Sequence, residues 1–352
     1  MRVCIVAHSH KLGGMERYVM NLAAGLVADG QEACVAGPRD GWLGEQCRKA
    51  DIELFDLAMN GMYDLVSAGR LARHARRWQA DVLHGQSQRG TRYATWAAGK
   101  CGRPAMATAH STDSWHRFED AARIICVSDA VRDALVAHGY DRRRLRRVHS
   151  GVADLASGAP SRSVARMQLG LPLDAPVFAM VARIVPEKGH LLAVEALSRL
   201  TRKDTILVLA GDDATPAGEV LHRRVAELEL VQRVRFLGQR GDVATVFAAC
   251  DVALAPSSCE ALGLTLIEAA AMSLPVVASR VGGIPEVVDD GVTGVLIDPG
   301  DLAGCVSALT SLVADIPRRM AMGRAARERF LSLFTVKRMC AQVQTIYREL
   351  VR

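Results

Sequence analysis

The strongest constraint on this chain is an alternation of short apolar runs with helical patterns that begins twice. It opens with RVCIVAH as a strand, a Gly-containing turn SHKLGG, and an amphipathic helix MERYVMNLAAGLVADG that stops at a glycine. A strand, a glycine turn and a helix in succession make a βα unit. EACVAG, ADVLHG, PAMATAH and RIICVS continue as strands, with YDLVSAGRLARHARRWQ and SDAVRDALVAHG as helices. This alternation predicts a parallel sheet covered by helices.

At Ala153 to Ser163 the composition turns to ADLASGAPSRS, small residues with Gly, Pro and Ser and no apolar period, which reads as a linker. Beyond it VFAMVA, TILVLAG, VRFLG, VALAPS, PVVAS and GVLID alternate with helices such as GHLLAVEALSRL and LTLIEAAAM. A chain of 352 residues exceeds one ordinary core. The expected fold is α/β, two Rossmann-like, doubly wound parallel-sheet domains over residues 1–155 and 156–330. The tail 331–352, with MCAQVQTIYRELV, is expected to pack back on the first domain. Strand carboxyl ends and helix N-termini are expected to face a central cleft, where ligand chemistry belongs.

No apolar run reaches the roughly 18 to 20 residues that a membrane helix needs, and the N-terminal apolar stretch reads as a strand and not a signal peptide. The nine cysteines are scattered and lack the close pairs of zinc or redox sites, which predicts a cytoplasmic protein. Residues 1–160 carry +5 of the formal +6 charge, with arginines at 70, 73, 76 and 77 and again at 142–144, 146 and 147. Such faces are either solvated surface or a dock for an anionic membrane or lipid diphosphate. Without an RNA-type aromatic signature or a DNA-reading module, nucleic acid is not an expected partner.

Three segments can carry chemistry. Gly13 and Gly14 stand between the first strand and first helix, where backbone N–H groups can meet an anion; the pattern is not the G-x-G-x-x-G of dinucleotide enzymes. Arg183 and Lys188 follow the strand VFAMVA and can neutralise a diphosphate, one as a bidentate fork and one as a point charge. In SSCEALGLTLIEAAAM, Glu260 and Glu268 bracket Gly263 and a helix beginning near Leu264, so two carboxylates could accept hydrogen bonds from hydroxyls of two rings. The plainer alternative is that Glu260 caps the helix and Glu268 is exposed. Gly282 and Gly283 form a second, flexible turn, with Glu286 behind it, and Asp212 with Asp213 reads as a loop in preference to a metal site.

At ARIVPEKG, EALGLTLIEAAAMSLPVVAS, VGGIPEVV and GVTGVLIDPGD, the chain resembles the retaining glycosyltransferases of family four, which have the GT-B fold and include sucrose synthases, bacterial lipopolysaccharide and capsule enzymes and mannosyltransferases. LGGMER, ATAHS, ICVSDAVRD and RVHSGV extend the resemblance over the N-terminal half. It implies that Gly13 and Gly14 meet the donor phosphate, His110 contacts the transferred sugar, Arg183 and Lys188 hold the leaving diphosphate, and Glu260 binds the donor sugar. Gly263, Leu264 and Glu268 complete the donor site, with Glu268 on the nucleotide ribose. The implied reaction moves a hexose-type sugar from a nucleoside diphosphate, most simply a UDP-sugar, to a hydroxyl of a glycan or lipid-linked acceptor in bacterial surface glycan synthesis. No metal or other cofactor is implied. The enzyme would work in the cytoplasm or at the inner face of its membrane. A nucleotide-sugar 2-epimerase of the same fold and a non-catalytic sugar-nucleotide-binding subunit remain as alternatives. AGDDAT lacks the glycine that relatives carry after the first aspartate, Ser150 replaces a common asparagine, and Ser273 a common glycine.

Overall fold

The computed structural model describes residues 1–10, 12–113 and 115–351. The chain divides into two compact units, Met1–Ala153 together with the segment from Phe334 onward, and Asp154–Leu333. The breaks fall after Ala153 and Leu333, against expected boundaries after 155 and 330.

The first unit holds strands β1 (Arg2–Val6), β2 (Glu32–Gly37), β3 (Glu53–Asp56), β4 (Val82–Gln86), β5 (Ala105–Ala109), β6 (Ile124–Cys126) and β7 (Leu145–Arg147). Its helices are α1 (Gly14–Ala28), α2 (Trp42–Lys49), α3 (Leu65–Arg77), α4 (Ser87–Cys101) and α5 (Asp129–Ala137). All strands pair parallel, in the order β3-β2-β1-β4-β5-β6-β7. Side chains alternate across a strand, so Val3 and Ile5 join the core under α1 and α2, while Cys4 and Val6 join a second core under α3 and α4.

The second unit comprises α6 (Arg162–Gln168), β8 (Val177–Val181), α7 (His190–Arg199), β9 (Ile206–Ala210), α8 (Pro216–Glu227), β10 (Val234–Phe236), α9 (Val243–Ala248) and β11 (Val252–Ala255). It continues with α10 (Leu264–Ala271), β12 (Val276–Ser279), α11 (Ile284–Val287), β13 (Gly294–Ile297), α12 (Leu302–Ala314) and α13 (Ile316–Leu333). Its parallel sheet runs β10-β9-β8-β11-β12-β13. At its base Arg166, fully buried, donates to the carbonyls of Pro172, Leu173, Ala175 and Ala249 and to Asp251 at 3.0 Å. Asp251 also faces Arg162 at 2.9 Å and Arg319 at 3.5 Å and accepts from the Val177 amide, so one carboxylate ties α6, α13 and β8 together.

The last helix, α14 (Val336–Val351), belongs to the first unit. Met339, Cys340, Val343, Ile346 and Tyr347 recur at helical spacing and enter the core with α1. The two helices approach so closely that a Cβ on Gly25 would lie 2.4 Å from Cys340 Sγ.

Both sheets reverse their winding once, at β1/β4 and at β8/β11, and a doubly wound sheet opens a crevice at the carboxyl ends of such strands.

Candidate functional site

In the second unit, the chain leaving β8 passes exposed Arg183 and forms a short 3-10 turn, Pro186–Lys188, closed by Gly189 at φ +77°. The chain leaving β11 forms the loop 256–263. The two loops interlock: a Cβ on Gly189 would stand 2.0 Å from the Pro256 carbonyl oxygen, and the Ser258 amide donates to the Glu187 carbonyl at 2.9 Å. Across this seam Lys188 Nζ donates to Glu260 Oε2 at 2.5 Å, both side chains 19% exposed. Glu260 Oε1 accepts from the amide of Ala261 at 3.2 Å. Arg183 makes no ion pair among the described residues, so its guanidinium is uncommitted, whereas Lys188 is paired.

Glu260 therefore bonds to Lys188 and does not cap α10, whose N-cap is Gly263 at φ +92° with no side-chain cap. Leu264 begins that helix, and Glu268, one turn in, is buried at 4% exposure, which overturns the alternative of a solvated Glu268. Gly282 and Gly283 differ from expectation as well. They do not form a loose turn: Gly283 N donates to the Glu260 carbonyl at 3.1 Å, and a Cβ on Gly282 would come within 1.8 Å of that oxygen. They fix the backbone that carries Glu260. Asp213 is hydrogen-bonded to His222 at 2.8 Å and Asp212 accepts from the Ala214 amide, a local loop arrangement.

In the first unit, Gly13 is the N-cap of α1, in extended backbone, and Gly14 is its first residue. A side chain at Gly13 would meet the carboxylate of buried Glu16 at 2.7 Å, so glycine leaves room for an acid that suits the positive end of the helix. His110 follows β5. Half-buried, it packs edge-on against Tyr18 with ring centroids 4.8 Å apart, and its Nε2 lies 2.9 Å from Gln86 Oε1 at the end of β4. Beneath it His84 is bonded through Nε2 to Thr108 Oγ1 and through Nδ1 to Tyr347 OH, each at 2.7 Å, and Thr108 reaches Tyr18 OH at 3.5 Å. Burial pushes both His84 and His110 down to about 3, with His110 adding to the effect on His84, so both rings are neutral. His8, lowered by burial and by Arg89, accepts from that guanidinium at 2.9 Å.

The arginine groups differ. Arg70, Arg73, Arg76 and Arg77 are exposed on α3, but His74 is not with them: it stacks on Phe55 at 4.0 Å. Trp78 is tied by Nε1 to Glu53 at 2.7 Å. In the second group Arg144 donates to the carbonyls of Glu119 and Ala121, and Arg147 pairs with Asp129 at 3.3 Å.

Two family descriptions match the chain: Glycosyltransferase Family 4 over residues 12–154 and Glycosyl transferases group 1 over residues 161–329. The chain belongs to the group 1 glycosyltransferases. The D-inositol 3-phosphate glycosyltransferases of Mycobacterium bovis and Mycobacterium tuberculosis are 36% identical to it over 286 residues, 76% of this chain and 58% of theirs. The chain thus spans little more than half the length of these relatives. Among solved structures, HepE of Anabaena in complex with UDP and glucose superposes with a TM-score of 0.88 at 23% identity over 99% of both chains. A glycosyltransferase of Rickettsia africae gives 0.91 at 21% identity, over 100% of this chain and 98% of that one. At these identities the likeness speaks for the fold, which is GT-B.

One residue at the β1/β4 switch point, Gln86, is not singled out by any sequence pattern. The signal available was its place at the end of the strand ADVLHG, but no helix is evident after it, because α4 carries Gly90, Thr91, Thr95 and Gly99, all poor helix formers.

Proposed function

We propose that the chain is a retaining hexosyltransferase that moves a sugar from a nucleoside diphosphate, UDP in the first instance, to a hydroxyl of a glycan or lipid-linked acceptor during bacterial surface glycan synthesis. The observation that carries the reading is the contact of Lys188 with Glu260 at the β8/β11 switch point, a cation for a diphosphate joined to a carboxylate for sugar hydroxyls, with Arg183 exposed on the same loop that leaves β8. HepE, solved in complex with UDP-glucose, and the mycobacterial relatives, named D-inositol 3-phosphate glycosyltransferases, support the sugar-nucleotide donor and the transfer of a glycosyl group.

In this reading Arg183 and Lys188 hold the diphosphate and stabilise the charge that grows as it leaves, Glu260 binds the donor sugar, and Gly263, Leu264 and Glu268 bind the nucleotide side. Gly13 and Gly14 offer amides to the donor phosphate, and neutral His110 meets the transferred sugar. With these groups balancing the diphosphate no metal is needed, so activity should survive a chelator. Loss with chelator and return with magnesium would overturn that point. The reaction itself is tested by acceptor-dependent release of nucleoside diphosphate, with a rise in melting temperature on adding UDP or UDP-glucose. A donor-only incubation that changes the sugar would replace transfer by epimerisation.

The acceptor is proposed to be reached at the inner face of the cytoplasmic membrane. No helix among the described residues is long and apolar enough to cross a membrane. At the start of α3, Tyr63, Leu65 and Val66 are 62%, 61% and 74% exposed, and Arg70, Arg73 and Arg77 follow. Apolar side chains with arginines that make no ion pair among the described residues, Arg70 donating only to the Asp56 carbonyl and lying over Phe55, suit an anionic interface, each arginine contributing about 1 kcal/mol. Binding to anionic and not neutral vesicles, weakened by salt and by Arg70/Arg73/Arg77→Ala, is expected; equal partitioning to both would reject it.

A further inference from the structure

We propose that Gln86 is the positioning residue of His110: by accepting from Nε2–H it fixes the tautomer in which Nδ1 is the ring's hydrogen-bond acceptor, and it offers its own amide N–H to the same bound sugar. The proposal rests on the reading that His110 contacts the transferred sugar.

Four observations carry it. Gln86 Oε1 lies 2.9 Å from His110 Nε2, and an amide oxygen can only accept, so the ring nitrogen donates. A neutral imidazole has one N–H, which leaves Nδ1 without a proton, and Nδ1 makes no hydrogen bond among the described residues. Gln86 is 1% exposed, and its Nε2 is buried with no partner among the described residues. A buried donor left unsatisfied is costly, and where one persists next to a binding group a ligand oxygen is its natural partner.

The fourth observation is the backbone that holds Gln86. Strand β4 runs into α4 without a connecting loop, and Ser87 takes up the change of direction at φ +55°, a left-handed conformation unfavourable for a residue with a Cβ. The turn persists because α4 lies directly on the strands: a Cβ on Gly85 would fall 2.3 Å from Thr91 Cα, and one on Gly90 would fall 2.2 Å from the Val6 carbonyl oxygen. The backbone of Gln86 is thus held on both sides, with its amide oxygen on His110 just past β5. The titratable groups around the pair are Tyr18 from α1 and His84 on β4; His84 is neutral and Tyr18 is raised by burial, so neither brings a competing charge.

The test is the tautomer of His110, read by long-range proton–nitrogen NMR on the full chain labelled with nitrogen-15 histidine. Wild type is expected as Nε2–H at neutral pH. Gln86→Leu, with an unchanged melting temperature, is expected to shift the ring toward Nδ1–H and to lower turnover by on the order of 100-fold, with a smaller change in donor KM. Gln86→Glu retains an acceptor for Nε2–H but has no amide donor; it should keep the tautomer, raise the His110 pKa by more than one unit, and leave turnover reduced. Nδ1–H in the wild type, or an unaltered Nε2–H ring in folded Gln86→Leu, would overturn the proposal. Should Gln86→Leu not fold, an unmoved His110 pKa in Gln86→Glu would overturn it. The NMR readout needs no turnover, so failure of the transferase reading and failure of the Gln86 role are told apart.

Discussion

The first unit gathers His84, Gln86, Thr108 and His110 at the ends of β4 and β5, two imidazoles that burial keeps neutral, one bonded to the Thr108 hydroxyl and one to the Gln86 amide. The second unit's switch point carries Arg183, Lys188 and Glu260 on two interlocked loops, Arg183 exposed and the other two joined in an ion pair. Similar parallel sheets thus present two chemistries. A preorganised neutral donor–acceptor array suits hydroxyls, which carry no charge to be balanced. A diphosphate needs cations, and here Lys188 is held by Glu260 without complete desolvation while Arg183 stays exposed. The contrast extends into the cores. The second unit buries charge as well, at Arg166 and Asp251, but there every donor of the guanidinium that the structure places finds a carbonyl or carboxylate.

The largest effect expected from breaking this comparison is at that buried centre. Asp251→Ala strands Arg166 and Arg319 without their carboxylate, and removing one partner of a buried pair costs about 3–5 kcal/mol. Urea unfolding should show that loss, and hydrogen exchange should place it in β8 and β11 and spare β1 and β4. A cost below about 1 kcal/mol would mean that Asp251 is not the tie described.

Acid sharpens the comparison next. Histidines held below their ordinary pKa bind a proton in the unfolded chain before they do in the folded one, so stability is full above about pH 6.5 and falls as pH drops toward 3, by up to about 1.4 kcal/mol per pH unit for each such group. The first unit has four, His8, His74, His84 and His110, and the second has His190, lowered to about 4 mainly by burial with help from Lys188. Between pH 6.5 and 5, before most carboxylates titrate, exchange protection should fall faster in β4 than in β11. His84→Gln should reduce the slope. Equal loss in both units would contradict the assignment of neutral buried imidazoles to the first.

Much of this architecture is legible from alternation alone, because a strand buried on both faces must be apolar throughout and a helix lying on it must be apolar every three or four residues. The pieces that escape are those where burial is weak or the helix signal is diluted. Strand β3, ELFD, lies at the sheet edge with charged ends, β7 is LRR at the other edge, and α4 is rich in glycine and threonine. Of the site, Arg183, Lys188 and Glu260 are visible as charged residues just past apolar runs. That Lys188 and Glu260 bond to each other is not, since 71 residues lie between them and only the order β8-β11 brings their loops together. Gln86 and the Tyr347–His84–Thr108 chain escape for the same reason. Tyr347 looks like one more apolar position on an amphipathic helix until the fold returns α14 to β4.

A smaller effect tests that last link. Tyr347→Phe keeps the packing of α14 but leaves His84 Nδ1 buried without its hydroxyl, a loss of about 1–3 kcal/mol. Because the hydroxyl is separated from His110 by His84 and Thr108, turnover per folded molecule should change little. A turnover defect as large as that of Gln86→Leu would show that the chain from α14 to His110 acts as one catalytic unit.

The central claim, that charges at the β8/β11 switch point act on a leaving diphosphate, is tested most directly by the acceptor-dependent rate of UDP release for Lys188→Ala against wild type, with melting temperature as the control for folding. Lys188 keeps 19% of its side chain exposed and lies outside the hydrophobic core, so the variant should fold. Its turnover should fall by on the order of 100- to 1,000-fold, the size of losing one preorganised donor to developing charge. A folded Lys188→Ala that releases UDP at a rate near wild type would contradict the account.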